Sequence, residues 1–181
     1  MNPIFKSVLI NFGIVAVMTG HGFAASDTPK AVNESFGDWQ VACKSQDGRQ
    51  LCAAIQQVAG SIEGKPDARQ RIIALEIIRA GTSAIGTMIL PFGIDVSKGV
   101  SLSLTGADAN GSSLPFKTCL PAGCLVPLEF GPQAVEGLKK AEKLTVSFET
   151  TADGQKKSIA VSLKGFGEAF DHIKPLEDVR Q

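Results

Sequence analysis

Residues 144–163, LTVSFETTADGQKKSIAVSL, hold two alternating patterns on either side of a turn, and this stretch decides the fold class. Apolar and polar side chains alternate from Leu144 over six residues, and they alternate again over the six residues that end at Leu163. A period of two is typical of strands that bury one face. The Asp153-Gly154 step between them favours the positive φ of a tight turn. The stretch therefore predicts an antiparallel hairpin.

Other segments outward from this hairpin carry strand signatures too. Residues 100–104 repeat the alternation. Residues 72–78 are apolar at every position except Glu76, which is typical of a central strand buried between layers. An early strand over 39–43 is expected to pair with residues 51–58 as a second hairpin. Most of the chain thus favours β structure.

A short helix is predicted at about 132–142. Pro132 stands where a first helical turn tolerates proline, and Val135, Leu138 and Ala141 recur at three-residue spacing on one side. One helix and about eight or nine short strands fit best in two packed antiparallel sheets. We therefore expect a mostly β fold, an antiparallel β-sandwich or flattened barrel with one short helix.

The turn-forming residues of three segments, 59–68, 91–99 and 108–113, predict exposed loops. The C-terminal segment, about 171–181, is polar and contains a proline, so we expect it to fray. The chain length fits a single domain over residues 25–181.

The first 24 residues have the organisation of a signal peptide. Lys6 supplies a basic start, an apolar run follows from Val8 to Met18, and Gly22 and Ala24 place small residues before a cut after Ala24. The run is shorter than the roughly 20 residues that span a bilayer, so no transmembrane segment is expected after cleavage. We therefore expect an exported protein that is periplasmic, or located at the outer-envelope surface or secreted.

The charge balance argues against nucleic acid as a partner. The chain has 18 basic and 18 acidic residues, and only one of these, Lys6, lies in the predicted signal peptide. A nearly neutral domain lacks the positive surface that would attract nucleic acid or an anionic membrane.

Four cysteines lie in the predicted mature part: Cys43, Cys52, Cys119 and Cys124. An even count in an oxidising compartment predicts two disulfides, and the short separations favour Cys43 with Cys52 and Cys119 with Cys124. A zinc site or a thioredoxin-like redox site would need closer spacings. We expect no metal and no cofactor. A redox role for the second pair remains an alternative hypothesis, because a short strained disulfide is easily reduced.

The sequence offers little for catalysis. His172 is the one histidine outside the signal peptide, and it lies in the polar tail, where we expect an ordinary solvated side chain. Glu76, Glu129 and Glu149 fall on predicted strands and are the candidates for a carboxylate pair in a glycan hydrolase. Trp39 is expected to pack over a disulfide in the core, with ligand stacking as the alternative. The protein is therefore predicted not to be an enzyme.

Three motifs occur in order after the signal peptide: FGDWQVAC at 36–43, LPFGID at 90–95 and LPFKTCLPAGC at 114–124. With this cysteine arrangement the chain closely resembles the invasion-associated locus B family of bacterial exported proteins. The resemblance covers nearly the whole mature chain. It implies a compact β fold in the periplasm or outer envelope, and some members are linked to entry of pathogens into host cells. It implies no established catalytic activity.

The leading hypothesis is a non-enzymatic envelope protein that binds a protein or glycan of the bacterial envelope or host surface. Scaffolds of this kind commonly carry function on loops, here 59–68, 91–99 or 108–113. The alternatives are a housekeeping role in envelope maintenance and the glycan hydrolase described above.

Overall fold

The structure is a computed structural model that describes residues 33–46, 49–62, 65–104 and 113–177. The predicted signal peptide, 1–24, and residues 108–112 of one predicted loop lie outside these ranges. The described part contains ten strands and two helices: β1 (Asn33–Phe36), β2 (Trp39–Gln46), β3 (Arg49–Ile62), β4 (Lys65–Ala80), β5 (Ser83–Leu90), β6 (Ser101–Leu104), β7 (Thr118–Leu120), β8 (Gly123–Phe130), α1 (Pro132–Lys140), β9 (Lys143–Glu149), β10 (Lys156–Ser162) and α2 (Phe166–Glu177).

Seven strands form one antiparallel sheet in the order β1-β2-β3-β4-β5-β8-β7. The predicted pairing of the second hairpin is confirmed, because Val41 lies opposite Ala54 and Cys43 opposite Cys52. β4 is the central strand of this sheet. Its expected burial on both faces is only partly correct, since Ile73, Leu75 and Ile77 are buried on one face while Glu76 is exposed on the other.

The second sheet has three strands in the order β10-β9-β6. The predicted hairpin at its centre is confirmed, with Val146 opposite Ile159 and Leu144 opposite Val161. Apolar side chains of the two sheets join one core: Trp39, Val41, Ala54, Ile73, Leu75, Ile77, Met88, Val126 and Leu128 from the larger sheet, and Leu144, Val146, Phe148 and Val161 from the smaller. The architecture is sandwich-like, and the flattened barrel is the wrong alternative because neither sheet closes on itself.

Helix α1 begins at Pro132 as predicted and ends at Lys140, and it buries Val135 and Leu138. The second helix, α2, was not expected. Its residues Phe166, Ala169, Phe170 and Ile173 are all buried. This spacing of three and four residues places them on one face, which packs on the larger sheet.

The predicted frayed tail is therefore wrong over residues 171–177. Asp171 and Lys174 lie on the exposed face of an amphipathic helix, while Ile173 is fully buried on the other face. His172, expected to be solvated, is partly buried, with 29% of its side chain exposed. Its ring lies 4.9 Å from the ring of Phe36, and its Nε2 atom is 3.1 Å from Oε2 of Glu34.

The predicted loop over 59–68 is also wrong for residues 59–62 and 65–68, which belong to strands; residues 63 and 64 lie outside the described ranges. β3 and β4 continue their pairing through Ala59 with Arg71 and Gly60 with Gln70, as far as Ile62 with Lys65. The register of the two strands shifts between Val58 and Ala59 and between Ser61 and Ile62, but the pairing continues through Gly60. Since the last pair of β3 with β2 is Ile55 with Gln40, this hairpin extends beyond the rest of the sheet. We call residues 57–62 and 65–72 the arm.

The first motif joins α2 to the sheet through closely packed glycines. Gly37 adopts a φ of 56° in the turn between β1 and β2, and a Cβ atom there would meet the backbone of Lys164. Gly165 faces the backbone of Phe36 in the same close manner, and the amide of Asp38 donates to the carbonyl of Lys164 over 3.0 Å. Glycine is required at both positions because no side chain fits.

Candidate functional site

The four cysteines form two local pairs in the structure. Cys43 and Cys52 lie on β2 and β3 with their Cα atoms 4.0 Å apart, and Cys119 and Cys124 lie on β7 and β8 with their Cα atoms 3.9 Å apart. Each pair is at disulfide-bond distance across neighbouring strands. Three of these residues are buried, but Cys119 is exposed on the edge strand β7.

The second and third sequence motifs meet around a groove of about 220 Å³. Residues 89–92 at the end of β5 form one wall, and residues 121–123 of the turn between β7 and β8 form another. Gln70 and Arg71 of the arm complete it. We call this the motif groove.

The motif groove is held by contacts among its walls. Leu90 pairs with Cys124, and the Nη2 atom of Arg71 donates to the carbonyl of Ala122 over 2.7 Å. Gly123 has a φ of 133°, and a Cβ atom there would collide with the carbonyl of Leu90. The Cys119–Cys124 pair closes the base of the same turn. The walls are thus fixed before any partner arrives.

One large apolar side chain is exposed in the motif groove, and a second is exposed beside it. Phe92 lines it and is 62% exposed, and Leu120, next to Pro121, is 49% exposed. Single exposed apolar residues are ordinary, but an exposed aromatic side chain at a preformed concavity is typical of binding surfaces.

The loop over 91–99 is described in full and is anchored to β9. Asp95 receives hydrogen bonds from the hydroxyl of Ser97 at 2.6 Å and from its amide at 3.0 Å. These bonds, together with the charge of Lys98, hold the pKa of the Asp95 carboxyl below its usual value. The amide of Asp95 also donates to the carbonyl of Glu149 over 2.9 Å. Phe92 therefore projects from a fixed loop.

The three carboxylates proposed for hydrolysis do not converge. Glu76 and Glu129 lie on the exposed face of the larger sheet with β5 between them, and Glu149 belongs to the smaller sheet. Glu76 pairs with Thr87 on β5, and Thr87 pairs with Pro127 on β8. Pro127 is two residues before Glu129 on the same strand. With strands about 4.8 Å apart and a rise of about 3.3 Å per residue, the Cα atoms of Glu76 and Glu129 are roughly 12 Å apart. Glutamate side chains are long enough to bring two carboxyls within the roughly 10 Å found in glycoside hydrolases from this Cα separation. A shared site is disfavoured because Glu76 and Glu129 lie exposed on an open sheet face and neither lines the motif groove.

Trp39 lies in the core, as expected, and not on a ligand-stacking surface. Its side chain is fully buried, and its ring packs edge-on against Phe166 with the centroids 4.9 Å apart. The expected disulfide is not the main neighbour, because α2 supplies the aromatic partner. Within the described ranges no three histidine, cysteine or acidic residues group in a way that could hold a metal ion.

The motif groove includes residues that sequence reasoning did not select. Gln70 and Arg71 belong to the arm, and only the pairing of β3 with β4 brings them beside the third motif. A single sequence carries no signal for this contact, because the hydrogen bond of Arg71 spans 51 positions.

The described helices include none with the length and apolar character needed to cross a membrane.

Comparison with known proteins gives consistent matches. A family model for the invasion associated locus B (IalB) protein matches residues 39–174. An invasion protein B homolog of Brucella abortus is 33% identical over 175 residues, which cover 95% of this chain and 97% of the relative. Invasion protein B of Bartonella bacilliformis is 28% identical over 150 residues, covering 81% and 77%.

A solved structure supports the same relationship. The crystal structure of invasion associated protein B from Bartonella henselae matches with a TM-score of 0.68 and 26% identity, covering 81% of this chain and 97% of that one. The resemblance stated from the three motifs is confirmed by these matches. The chain belongs to the invasion associated locus B (IalB) family.

Proposed function

We propose that the protein is a non-enzymatic, exported envelope protein that binds a partner protein through the motif groove. The observation that carries this proposal is the exposure of Phe92 beside a groove whose walls are already fixed. Binding sites need little reorganisation when they are formed in advance, so more of the contact energy remains for affinity.

The chemistry of the motif groove favours an apolar segment of a protein. Its lining includes Ile89, Pro91, Phe92 and Pro121, and Arg71 is its one cation. Aromatic and arginine side chains are enriched among the residues that dominate protein interfaces. Covering a side chain such as Phe92 fully contributes about 1.5–3 kcal/mol. A partner that inserts one apolar side chain between Phe92 and Pro121 would use this surface.

Three observations support the rest of the proposal. The candidate carboxylates are dispersed, which is unfavourable for a two-carboxylate mechanism. The two cysteine pairs fit an oxidising compartment outside the cytoplasm. The relatives in Brucella and Bartonella are named as invasion protein B or a homolog of it, so we propose contact with host cells as the setting of the interaction.

A capture experiment with matched variants tests the motif groove. Tagged mature protein would be incubated with host-cell membranes and, separately, with envelope extract of the producing bacterium. Phe92→Ser changes a residue that lines the groove, and Leu120→Ser changes the exposed residue next to Pro121 at its rim. Leu51→Ser is the matched control, because Leu51 is 42% exposed on β3, where it pairs with Lys44, and it neither lines the groove nor adjoins a residue that does.

We expect wild type and Leu51→Ser to capture the same partner. Phe92→Ser and Leu120→Ser should each bind it about tenfold or more weakly, because each loses one well-buried apolar contact. Retention from host membranes supports host contact, whereas retention from the bacterial envelope alone would replace it with envelope maintenance. Equal capture by all four proteins would overturn the motif groove as the binding site.

A further inference from the structure

The larger sheet has one covered face and one open face. Side chains at alternate positions along a strand point to opposite faces of a sheet. The face that carries Trp39, Val41 and Leu75 is covered by α2 and the smaller sheet and belongs to the core. In the described ranges the core includes no side chain from the opposite face of this sheet, which we call the open face.

A row of apolar side chains crosses the open face over four neighbouring strands. Ala42 of β2 pairs with Ala53 of β3, which pairs with Ile78 of β4. Ile78 pairs in turn with Ile85 of β5, and Ile85 is 48% exposed. We call these four residues the apolar row. An antiparallel sheet with one solvated face usually carries polar residues there, so this row is unusual for a surface that stays in water.

The apolar row indicates that a further layer packs on the open face. Contiguous apolar side chains on a protein surface mark interaction sites. Sheets pack on other sheets at a separation of about 10 Å, with the side chains of the two faces interdigitating. A second copy of this chain offers such a sheet, with the same apolar row. We propose that two copies pack open face to open face around a two-fold axis and form a dimer.

The pairing of β4 with β5 fixes how the two rows meet. In a two-fold interface, when one residue contacts a second residue of the other copy, the reverse contact also forms. Ile78 and Ile85 are opposite each other on β4 and β5. An axis between these strands therefore places Ile78 of each copy against Ile85 of the other. It also places Glu76 against Thr87 of the other copy, whose hydroxyl can donate to the carboxylate.

Charges at the two ends of the apolar row are complementary in this arrangement. Glu129 pairs with Ile85 at one end, and Lys44 follows Ala42 by two residues at the other. Both charged side chains are exposed, and within the described part of the chain neither forms an ion pair. The two-fold axis brings Glu129 of each copy over Ala53 of the other, within reach of Lys44. Opposite charges of this kind fix the register in which two surfaces associate.

The open face is large enough for a reversible dimer. It extends over the five strands β2, β3, β4, β5 and β8. With about 4.8 Å between strands and about 6.7 Å between alternate residues, about four residues on each strand cover roughly 600 Å² per copy. Two copies would bury roughly 1,200 Å², which is the lower end of the range for specific interfaces.

The dimer and the proposed function can be tested separately. No residue of the apolar row lines the motif groove, so a variant of the row leaves the lining of the groove unchanged. Loss of dimerisation and loss of partner capture are therefore distinguishable results.

Sedimentation velocity of the disulfide-bonded mature protein, over about a hundredfold range of concentration, measures the dimer. Ile85→Lys alters the apolar row, and Val96→Lys is the matched control, because Val96 is 47% exposed on the loop over 91–99. We expect wild type and Val96→Lys to dimerise alike. Ile85→Lys should raise the dimer Kd about tenfold or more, because each copy then buries a lysine in an apolar interface. Thermal unfolding by circular dichroism checks that both variants fold. A wild type that stays monomeric throughout would overturn the dimer and leave the open face to a different protein, and an unchanged Kd for Ile85→Lys would overturn this interface.

Charge reversal tests the arrangement of the two copies with exposed residues alone. Lys44→Glu should weaken the dimer about threefold or more, because it sets two acidic residues against each other at both ends of the interface. Combining Lys44→Glu with Glu129→Lys restores opposite charges and should return the Kd to the wild-type value. No weakening by the single variant, or no recovery in the double variant, would overturn the proposed two-fold packing.

Discussion

The indole N–H of Trp39 donates to the backbone carbonyl of Ser162 over 3.0 Å, across 123 positions of the chain. This bond links β2 of the larger sheet to the end of β10 in the smaller sheet, beside the start of α2. It explains why tryptophan in the first motif has a structural role: the ring packs on Phe166 while its polar edge satisfies a carbonyl between the sheets.

Replacing Trp39 with phenylalanine should destabilise the protein by roughly 1–3 kcal/mol. The variant keeps an aromatic ring near Phe166 but leaves the Ser162 carbonyl without its donor. Because Trp39 is the one tryptophan of the chain, unfolding in urea would be followed by far-ultraviolet circular dichroism. Phe92→Leu, on an exposed side chain, is the control and should stay within about 0.5 kcal/mol of wild type. Equal midpoints for wild type and Trp39→Phe would contradict a role for this bond.

Sequence patterns predicted the parts of the fold that depend on local periodicity. The hairpin of β9 and β10, the pairing of β2 with β3 and the start of α1 all follow from alternation or helical spacing within one segment. The same approach failed for α2. The residues after Phe170 are mostly polar, and the apolar residues with helical spacing, Phe166, Phe170 and Ile173, extend across the start of this polar segment. It also failed for the arm, because glycine and proline are typical of loops in sequence, whereas here β3 and β4 continue to pair through Gly60.

The binding surfaces were only partly predictable. The loop over 91–99 was selected from its composition, and the structure places Phe92 of that loop in the motif groove. Gln70 and Arg71 complete this groove only because β3 pairs with β4. Tertiary contacts between distant segments decide this surface, and local patterns in one sequence do not indicate them.

Stability in acid should depend on Asp171, which joins three elements. Its Oδ1 atom lies 2.8 Å from Nζ of Lys139 on α1 and 3.4 Å from Nη1 of Arg79 on β4. Burial opposes ionisation of this carboxyl, but the hydrogen bonds and charges of Lys139 and Arg79 outweigh it, so its pKa lies below the ordinary value of 3.8. The folded state therefore gains stability above that ordinary value, and the gain disappears as the pH falls through the lowered pKa.

Asp171→Asn should accordingly lower stability near pH 7 and have a shrinking effect below pH 3.8. Because the side chain is more than half exposed, we expect a loss of about 1 kcal/mol or less, reduced further by salt. Urea midpoints of both proteins between pH 7 and pH 2.5 measure this. Glu136→Gln is the comparison, since among the described residues Glu136 forms one ion pair, with Lys139 at 3.6 Å, and the variant should change stability less. A constant difference between wild type and Asp171→Asn at every pH would contradict the assignment.

The two cysteine pairs should differ in their reactivity. Cys119 is exposed on the edge strand β7, whereas Cys43 and Cys52 are both buried. A reductant reaches an exposed sulfur more readily, so brief treatment of the folded protein should open Cys119–Cys124 first. Alkylation followed by peptide mass spectrometry would identify the labelled residues, and a non-reduced digest would report the pairing. Simultaneous labelling of both pairs would show that exposure does not control the reaction, and cross-pairing would refute the two local disulfides.

The C-terminal helix should be essential to the fold, whereas a frayed tail could be removed without loss of stability. Ending the chain after Phe170 removes the fully buried Ile173 and the ion pairs of Asp171, and it leaves too few residues to hold Phe166 and Phe170 against the sheet. Ile173→Ala alone should cost about 2–5 kcal/mol, and the truncation more, because both open a cavity in the core. Thermal unfolding by circular dichroism measures these losses, with the exposed Lys174→Ala as a control expected to remain within about 0.5 kcal/mol of wild type. A truncated protein with the same melting temperature as wild type would mean that α2 does not contribute to the core.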